Sequence, residues 1–336
     1  MINDGLTDSK FDQRDGIPDA QKMSRAPTVA IIDIGSNSIK LLVARSSPNN
    51  SGIEVLYTHT IETRISSGIS QAHPRLSAQA IEAGTRAVTE LLRLARAYQP
   101  DAVRIVATSA VRDARNGQEF TELIETQTHY RVDILDGPEE ARLIARGLAT
   151  DPELSTLNDY LQIDLGGGSL EVILLQKAQI QQAISLQLGA VRLSEQFLLD
   201  REAPIDQNTA SAIQTHVRKT LETSIDGSLP SLPVVATGGA IVITRAILAA
   251  EDGLTIENRS ACMTMQEISQ LRQRIGGVPL HDRLAIPALP PARADILPTA
   301  LLTIEAVLEV ANADQLTHSF HNLRYGIAAE LLETLR

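Results

Sequence analysis

Two acidic-glycine turns constrain this chain more than anything else in it: Asp33-Ile34-Gly35-Ser36-Asn37-Ser38 and Asp164-Leu165-Gly166-Gly167-Gly168-Ser169. Each is preceded by an apolar run of strand character, Val29 to Ile32 in the first case and Leu161 to Ile163 in the second, and each leads into another. Strand, acidic turn, strand is a β-hairpin that brings a carboxylate and bare backbone N–H groups to one point, and glycine leaves room for an anion to reach those donors. One such turn is common. Two, each opening half of the chain, predict duplicated lobes that close on a phosphate.

The order of elements agrees with a duplication. Val29–Asp33, Ser38–Arg45 and Ile53–Ile61 read as a three-strand meander rich in Val, Ile and Leu. Apolar residues at helical spacing follow over Leu76–Tyr98, then a buried strand at Val103–Ala107, a helix over Gln118–Thr128, a strand at Val132–Leu135 and a helix over Glu139–Ala149. The pattern then restarts with strands at Asp159–Asp164, Leu170–Gln176 and Ala183–Leu188 and helices over Ala190–Leu198 and Asn208–Ser224. A buried strand, Val234–Thr237, runs into Gly238-Gly239 and a further helix. After Glu267 the chain reads as mostly helical, with a proline-rich interruption from Pro279 to Pro298 and an amphipathic terminal helix over Asn322–Arg336. Three strands, then alternating helix and strand, twice over, predicts a duplicated ribonuclease-H-like α/β fold with mixed sheets covered by helices. A linker is expected near Thr150–Asp159, where Asp151-Pro152 breaks the helix.

Bulk properties narrow the function. A length of 336 residues favours two domains over one core. No apolar run reaches the ~18 residues of a membrane-spanning helix. The polar first 26 residues lack a signal-peptide core and read as a flexible tail, so a cytoplasmic protein is expected. Cys262 is the only cysteine, which excludes an intrachain disulfide and a thiolate metal cluster. A net charge of −11, 3% aromatic residues and no tryptophan argue against a general nucleic-acid surface. A phosphate substrate remains open, provided the cleft supplies arginines, amides and a divalent cation.

The motifs differ in what they exclude. The Asp33 turn reads equally as a hydrogen-bonded hairpin turn or a phosphate cradle. Three consecutive glycines, each costing roughly 0.5–1 kcal/mol in ordering entropy, are better explained in the Asp164 turn by a phosphate chain approaching closely. Thr108 and Ser109, at the end of a buried strand, are expected to cap the helix that follows. Arg112 beyond them reads as a fork for phosphate oxygens or as a solvated arginine. Glu139 and Glu140, taken alone, complement a helix dipole. Gly238-Gly239 opens a helix after a strand, a natural place for an anion. Arg293-Ala294-Asp295 reads alone as a structural pair.

Taken in order, Asp33 to Ser38, Ala107 to Arg112, Glu139-Glu140-Ala141-Arg142, Asp164 to Glu171 and Arg293-Ala294-Asp295 resemble the exopolyphosphatase/guanosine pentaphosphate phosphohydrolase family. The likeness runs from about Val29 to Leu323-Arg324 and Gly326. It implies an actin/sugar-kinase/Hsp70-type fold, with a flexible tail over 1–26, lobe I over 27–137 with the terminal helix 320–336 packed back on it, and lobe II over 138–319. It implies hydrolysis of a terminal phosphoanhydride assisted by Mg²⁺ or Mn²⁺. The substrate would be inorganic polyphosphate or guanosine pentaphosphate, with a non-hydrolytic alarmone sensor as the rival reading and a homodimer as one expected assembly.

By the same resemblance Glu140 is the general base, with Glu171 and Asp164 beside it, and Asp33, Asp164 and Glu171 hold or orient the metal. Gly35, Ser36, Asn37, Ser38, Gly166, Gly167, Gly168, Ser169, Gly238 and Gly239 cradle phosphates, and Arg112 and Arg293 neutralise them. Three positions depart from the family. Leu170 stands for the usual Thr and Ala240 for Thr or Ser, removing hydroxyls expected near the phosphate path, and His321 stands for a glycine. Larger relatives also carry C-terminal domains that grip long polymers; the resemblance stops short of these.

Overall fold

The computed structural model describes residues 25–47, 52–227 and 230–336. The expected tail lies outside these residues as far as residue 24. The first half begins with β1 (Thr28–Ile34), β2 (Ser38–Ser46) and β3 (Ile53–Glu62), an antiparallel meander. It continues through α1 (Ala78–Arg96), β4 (Ala102–Ala107), α2 (Ser109–Asp113), α3 (Gly117–Thr128) and β5 (Val132–Ile134). The sheet runs β3-β2-β1-β4-β5, with β4 parallel to β1 and β5 parallel to β4. β1 is central and covered on both faces, which is why its sequence is a continuous apolar run rather than an alternation.

After α4 (Gly137–Leu148) come β6 (Tyr160–Leu165), β7 (Leu170–Gln176), β8 (Gln179–Leu186), α5 (Ala190–Phe197), α6 (Gln207–Ser224) and β9 (Val234–Thr237). Then follow α7 (Gly239–Glu251), β10 (Cys262–Thr264), α8 (Met265–Gly276), α9 (Leu280–Arg283), α10 (Leu297–Val310), β11 (Gln315–His318) and α11 (Leu323–Thr334). The second sheet runs β10-β11-β9-β6-β7-β8. Without β10, its order β8-β7-β6-β9-β11 repeats the first sheet strand for strand. This is a duplicated ribonuclease-H-like fold of the actin, sugar-kinase and Hsp70 type.

Four elements depart from the sequence reading. β10 and β11 lie in the stretch after Ser260 that carries no strand signal; at three and four residues they are too short to display a period. β11 is the fifth strand that completes the duplication. The single-turn helix α2 follows β4 directly, and β8 starts four residues before the expected Ala183, its Gln-rich start held by backbone pairing with β7.

One hydrophobic core gathers a face of both sheets around α4 and α11, with Val29 and Ile31 from the first sheet, Ile173 and Val235 from the second, and Leu143 and Ile327 from the helices. The two helices cross at glycines. A Cβ on Gly147 would stand 2.1 Å from the Asn322 carbonyl oxygen, and one on Gly326 would stand 1.9 Å from that of Leu143. α11 also packs on β1 and β2. It is buried at Leu323, Tyr325, Gly326, Ile327 and Ala328, more than the single stripe of an amphipathic surface helix. The expected linker holds one 3-10 turn, Pro152–Leu154, and Asp151 accepts a hydrogen bond from Ser319 at 2.5 Å.

Candidate functional site

The two acidic turns are the same hairpin built twice. Gly35 N–H donates to the Ser38 carbonyl at 3.2 Å, and Gly166 N–H to that of Ser169 at 3.0 Å. In each, the acid is paired across the hairpin with the residue seven positions on. Asp33 faces Lys40, whereas Asp164 faces Glu171. The duplicated position therefore carries a cation in one lobe and an acid in the other.

The turns meet across a cleft lined by both of them. A Cβ on Gly167 would stand 3.1 Å from Ser36 Cβ, and one on Gly168 would stand 2.5 Å from both Ser36 Oγ and Ser109 Oγ. Two of the three glycines thus let the lobes touch, a cause the sequence reading did not contain. Arg192 ties this contact down. It donates to the Gly168 carbonyl at 2.9 Å and the Ile69 carbonyl at 2.8 Å, and pairs with Asp113.

Four acids share the cleft floor. Glu140 sits in the first turn of α4, which Asp136 caps by accepting the Glu139 N–H at 2.8 Å. Glu140 is only 5% exposed, so the dipole-complementing surface role is not its role here. Burial and the neighbouring Glu171 push its carboxyl well above the ordinary range, against the pull of Arg112. Glu171, 2% exposed, is raised to about 7 by burial and then by Asp164, despite a 2.7 Å hydrogen bond donated by Ser185. The bare α-carbon of Gly137 brings the start of α4 against Ser185, which sets the two glutamates side by side. Asp164 accepts from Thr237 at 2.5 Å and is raised by burial. Asp33 is also raised by burial, with Lys40 and Arg324 opposing.

Among the described residues no three His, Cys, Asp or Glu side chains converge to enclose a metal ion. Asp33, Asp164 and Glu171 nevertheless face one cleft. Such a set fits a hard cation that takes one or two carboxylates and completes its shell with phosphate oxygens and water, as Mg²⁺ does.

The other expected residues divide. Gly35, Ser36, Ser38, Gly166, Gly167, Gly168, Ser169, Gly238, Gly239 and Arg293 line the cleft. Gly238 has a φ of +107°, and a Cβ there would meet the Leu165 carbonyl at 2.5 Å, so the position requires glycine. Asn37 lines it too, its amide engaged within the first lobe: Nδ2 donates to Glu62 at 2.7 Å and Oδ1 accepts from Arg64 at 3.0 Å. Arg112 is not on the wall. It stands behind Glu140, donating to its carboxylate at 2.7 Å and to the Leu135 carbonyl at 3.0 Å. Thr108 occupies the N-cap position of α2 without a capping hydrogen bond, its side chain facing the cleft, and Ser109 donates to Asp113 at 3.2 Å. Capping explains neither.

Leu170 does not touch the phosphate path. It is fully buried at the start of β7, whereas Ala240 does line the cleft. His321 stacks on Tyr325 and shares a 2.7 Å hydrogen bond with Thr150, away from the cleft. Three charged residues at or beside the cleft were given no role by the sequence. Lys40 lines the cleft, its ammonium pKa lowered by burial and by Arg324. Arg324 approaches Asp33 from α11, and Glu62 ends β3 between Asn37 and Arg293. A lysine inside the apolar run of β2 was the available signal for the first.

The Ppx/GppA phosphatase family model matches residues 42–335. The chain belongs to this family. Exopolyphosphatase 2 of Mycobacterium tuberculosis is 30% identical over 320 residues, covering 90% of this chain and 98% of that one. The fold matches the crystal structure of the Aquifex aeolicus Ppx/GppA family member with a TM-score of 0.76 at 23% identity, covering 93% of this chain and 100% of that one. An exopolyphosphatase of Cytophaga hutchinsonii superposes with a TM-score of 0.79 at 22% identity, over 92% of this chain and 99% of that one. The Ppx/GppA assignment makes the protein a phosphatase, and the cleft just described is where its two lobes bring charge together.

Proposed function

We propose that this protein is an exopolyphosphatase, releasing orthophosphate from the end of inorganic polyphosphate with the help of Mg²⁺ or Mn²⁺. The observation that carries the reading is the buried couple of Glu140 and Glu171 beside the two acidic-glycine hairpins. Pure binding of a polyanion gains nothing from two buried acids at the point of contact, whereas hydrolysis needs a base there.

In this reading Glu140 removes the proton from the attacking water. Burial and the neighbouring Glu171 raise its pKa above the ordinary range and so make it a stronger proton acceptor, and the Arg112 guanidinium fixes the carboxylate's direction. Glu171 and Asp164 orient that water and the cation, with Asp33 opposite. A bound Mg²⁺ would supply charge neutralisation on the phosphate oxygens. The backbone N–H groups of Ser36 to Ser38 and Gly167 to Ser169, with Arg293 and Lys40, hold the phosphates that stay behind. Phosphoryl transfer asks mainly for such positioning and charge.

Glu140→Gln is the direct test. A general base contributes about 10²–10⁴-fold, so the variant loses phosphate release by that factor while still binding tripolyphosphate. Near-normal turnover would falsify the role. The substrate is tested with a phosphate-release panel of short and long polyphosphate, guanosine pentaphosphate and ATP at matched Mg²⁺. A second reading has one observation in its favour. The cleft wall at Ala240, Ile243, Ile296, Leu297 and Ala300 is apolar, which a bare phosphate chain does not need and a purine would use. Faster release from guanosine pentaphosphate than from short polyphosphate favours that reading.

A further inference from the structure

Glu62, Asn37, Arg64, Asp295 and Arg293 form a closed ring of side chains that crosses from one lobe to the other. Glu62 takes Asn37 Nδ2 on one oxygen at 2.7 Å and Arg293 on the other at 3.2 Å. Arg64 donates from Nε to Asn37 Oδ1 at 3.0 Å, and its two terminal nitrogens fork onto Asp295 at 2.6 and 2.7 Å. The backbone from Asp295 back to Arg293 completes the circuit, and Arg64 also donates to the Ala292 carbonyl at 2.5 Å.

The backbone of the ring is bent to suit it. Arg64 has a φ of +42°, a left-handed conformation unusual for a side chain of its size, and the Asn37 carbonyl accepts both the Thr63 and the Arg64 N–H at 3.1 and 2.9 Å. Such a conformation persists where the surroundings over-determine it. Of the ring's members, only Asn37 and Arg293 line the cleft. Arg293, 8% exposed, donates to Ser38 at 3.0 Å and so stands directly over the first hairpin.

We infer that Arg64 and Asp295 are positioning residues for substrate: they seat the segment carrying Arg293 against the Asn37-Ser38 turn, so that one guanidinium and one hairpin present a single preassembled phosphate site. Neither lines the cleft, and neither bonds to Glu140, whose carboxylate is held by Arg112. The pair therefore acts on phosphate affinity and leaves the chemical step alone. The bidentate fork matters, because a single charge at Arg64 would not fix the angle of the 292–295 segment. Arg201, 3.7 Å from Asp295, keeps a cation beside it in any Arg64 variant without reproducing the fork.

The kinetic half of the test rests on the proposed hydrolysis; the binding half does not. Asp295→Asn and Arg64→Gln are compared with the unmodified chain for phosphate release from tripolyphosphate. Binding of tripolyphosphate is measured by calorimetry in the Glu140→Gln background. KM and Kd are expected to rise about tenfold, as when one partner of an interfacial charge pair is neutralised, with kcat held within about twofold. The double variant is expected to be no worse than either single, since both break the same link. A fall in kcat with unchanged KM, or additive losses, overturns the inference. If no substrate in the panel is hydrolysed, the proposed function fails while the calorimetric comparison still decides the ring. Absence of any tripolyphosphate binding overturns both. Should Asp295→Asn not fold, Arg64→Gln, at a more exposed position, carries the same expectation.

Discussion

Glu171 and Glu140 are held in the cleft with their carboxyls raised, Glu171 to about 7, by burial first and by neighbouring acids next. Both lie above the 4.5 of an unburied glutamate. The folded chain therefore holds these protons more tightly than the unfolded chain does. The stability they contribute is complete below about pH 4.5 and is lost as pH rises through the folded values. Glu171→Gln removes part of that dependence. Its thermal midpoint is expected to fall less between about pH 5 and pH 8 than that of the parent, as calorimetry across the range will read. The same substitution takes a negative charge from beside Glu140, so the acid limb of the residual activity moves to lower pH. A limb that stays in place or moves up would contradict the coupling of the two acids.

The element that joins these residues to the rest of the fold is α4, and what fixes α4 is its crossing with α11. Gly326→Ala would drive a Cβ to 1.9 Å from the Leu143 carbonyl oxygen, so the helices must separate. Overpacking of this kind costs about 1–3 kcal/mol or more. Because α4 carries Glu140 and α11 carries Arg324, turnover is expected to fall with the melting temperature, whereas a merely local defect would lower the melting temperature alone. Neither glycine announces this in the sequence: both sit inside helical periods, and only their pairing in space explains them.

The hairpins, by contrast, were legible, because acid, glycine and hydroxyl must be adjacent in the chain to make them. Glu140 was legible only through the order of the motifs, since an acid in a first helical turn is otherwise unremarked. Lys40, Glu62 and the α4–α11 crossing depend on register and on contacts between distant segments, which spacing along the chain does not encode. β10 and β11 escaped for another reason: three or four residues are too few to establish a period.

At the scale of the molecule, two lobes of one strand order close on each other through glycines. Gly168→Ala places a methyl where Ser36 and Ser109 now meet the turn, at 2.5 Å, and 3.0 Å from the Ile69 side chain. The two hydroxyls must turn aside or the lobes must part, and either displaces Ser36 within the cleft. Phosphate release should drop about tenfold through lost alignment of the reacting groups. Full activity would mean that alignment does not depend on this contact.

The lysine of one hairpin and the glutamate of the other occupy the same address in the two copies. A linear polyphosphate reads identically from both ends, so this difference has no direction to choose. What it can choose, in the proposed reading, is the bond. Phosphates beside Lys40 are retained and the one beside Glu171 faces water, so the protein counts one unit from whichever end arrives and cuts there. Duplication supplied two equivalent grips, and a change of sign at a single position made one of them a blade.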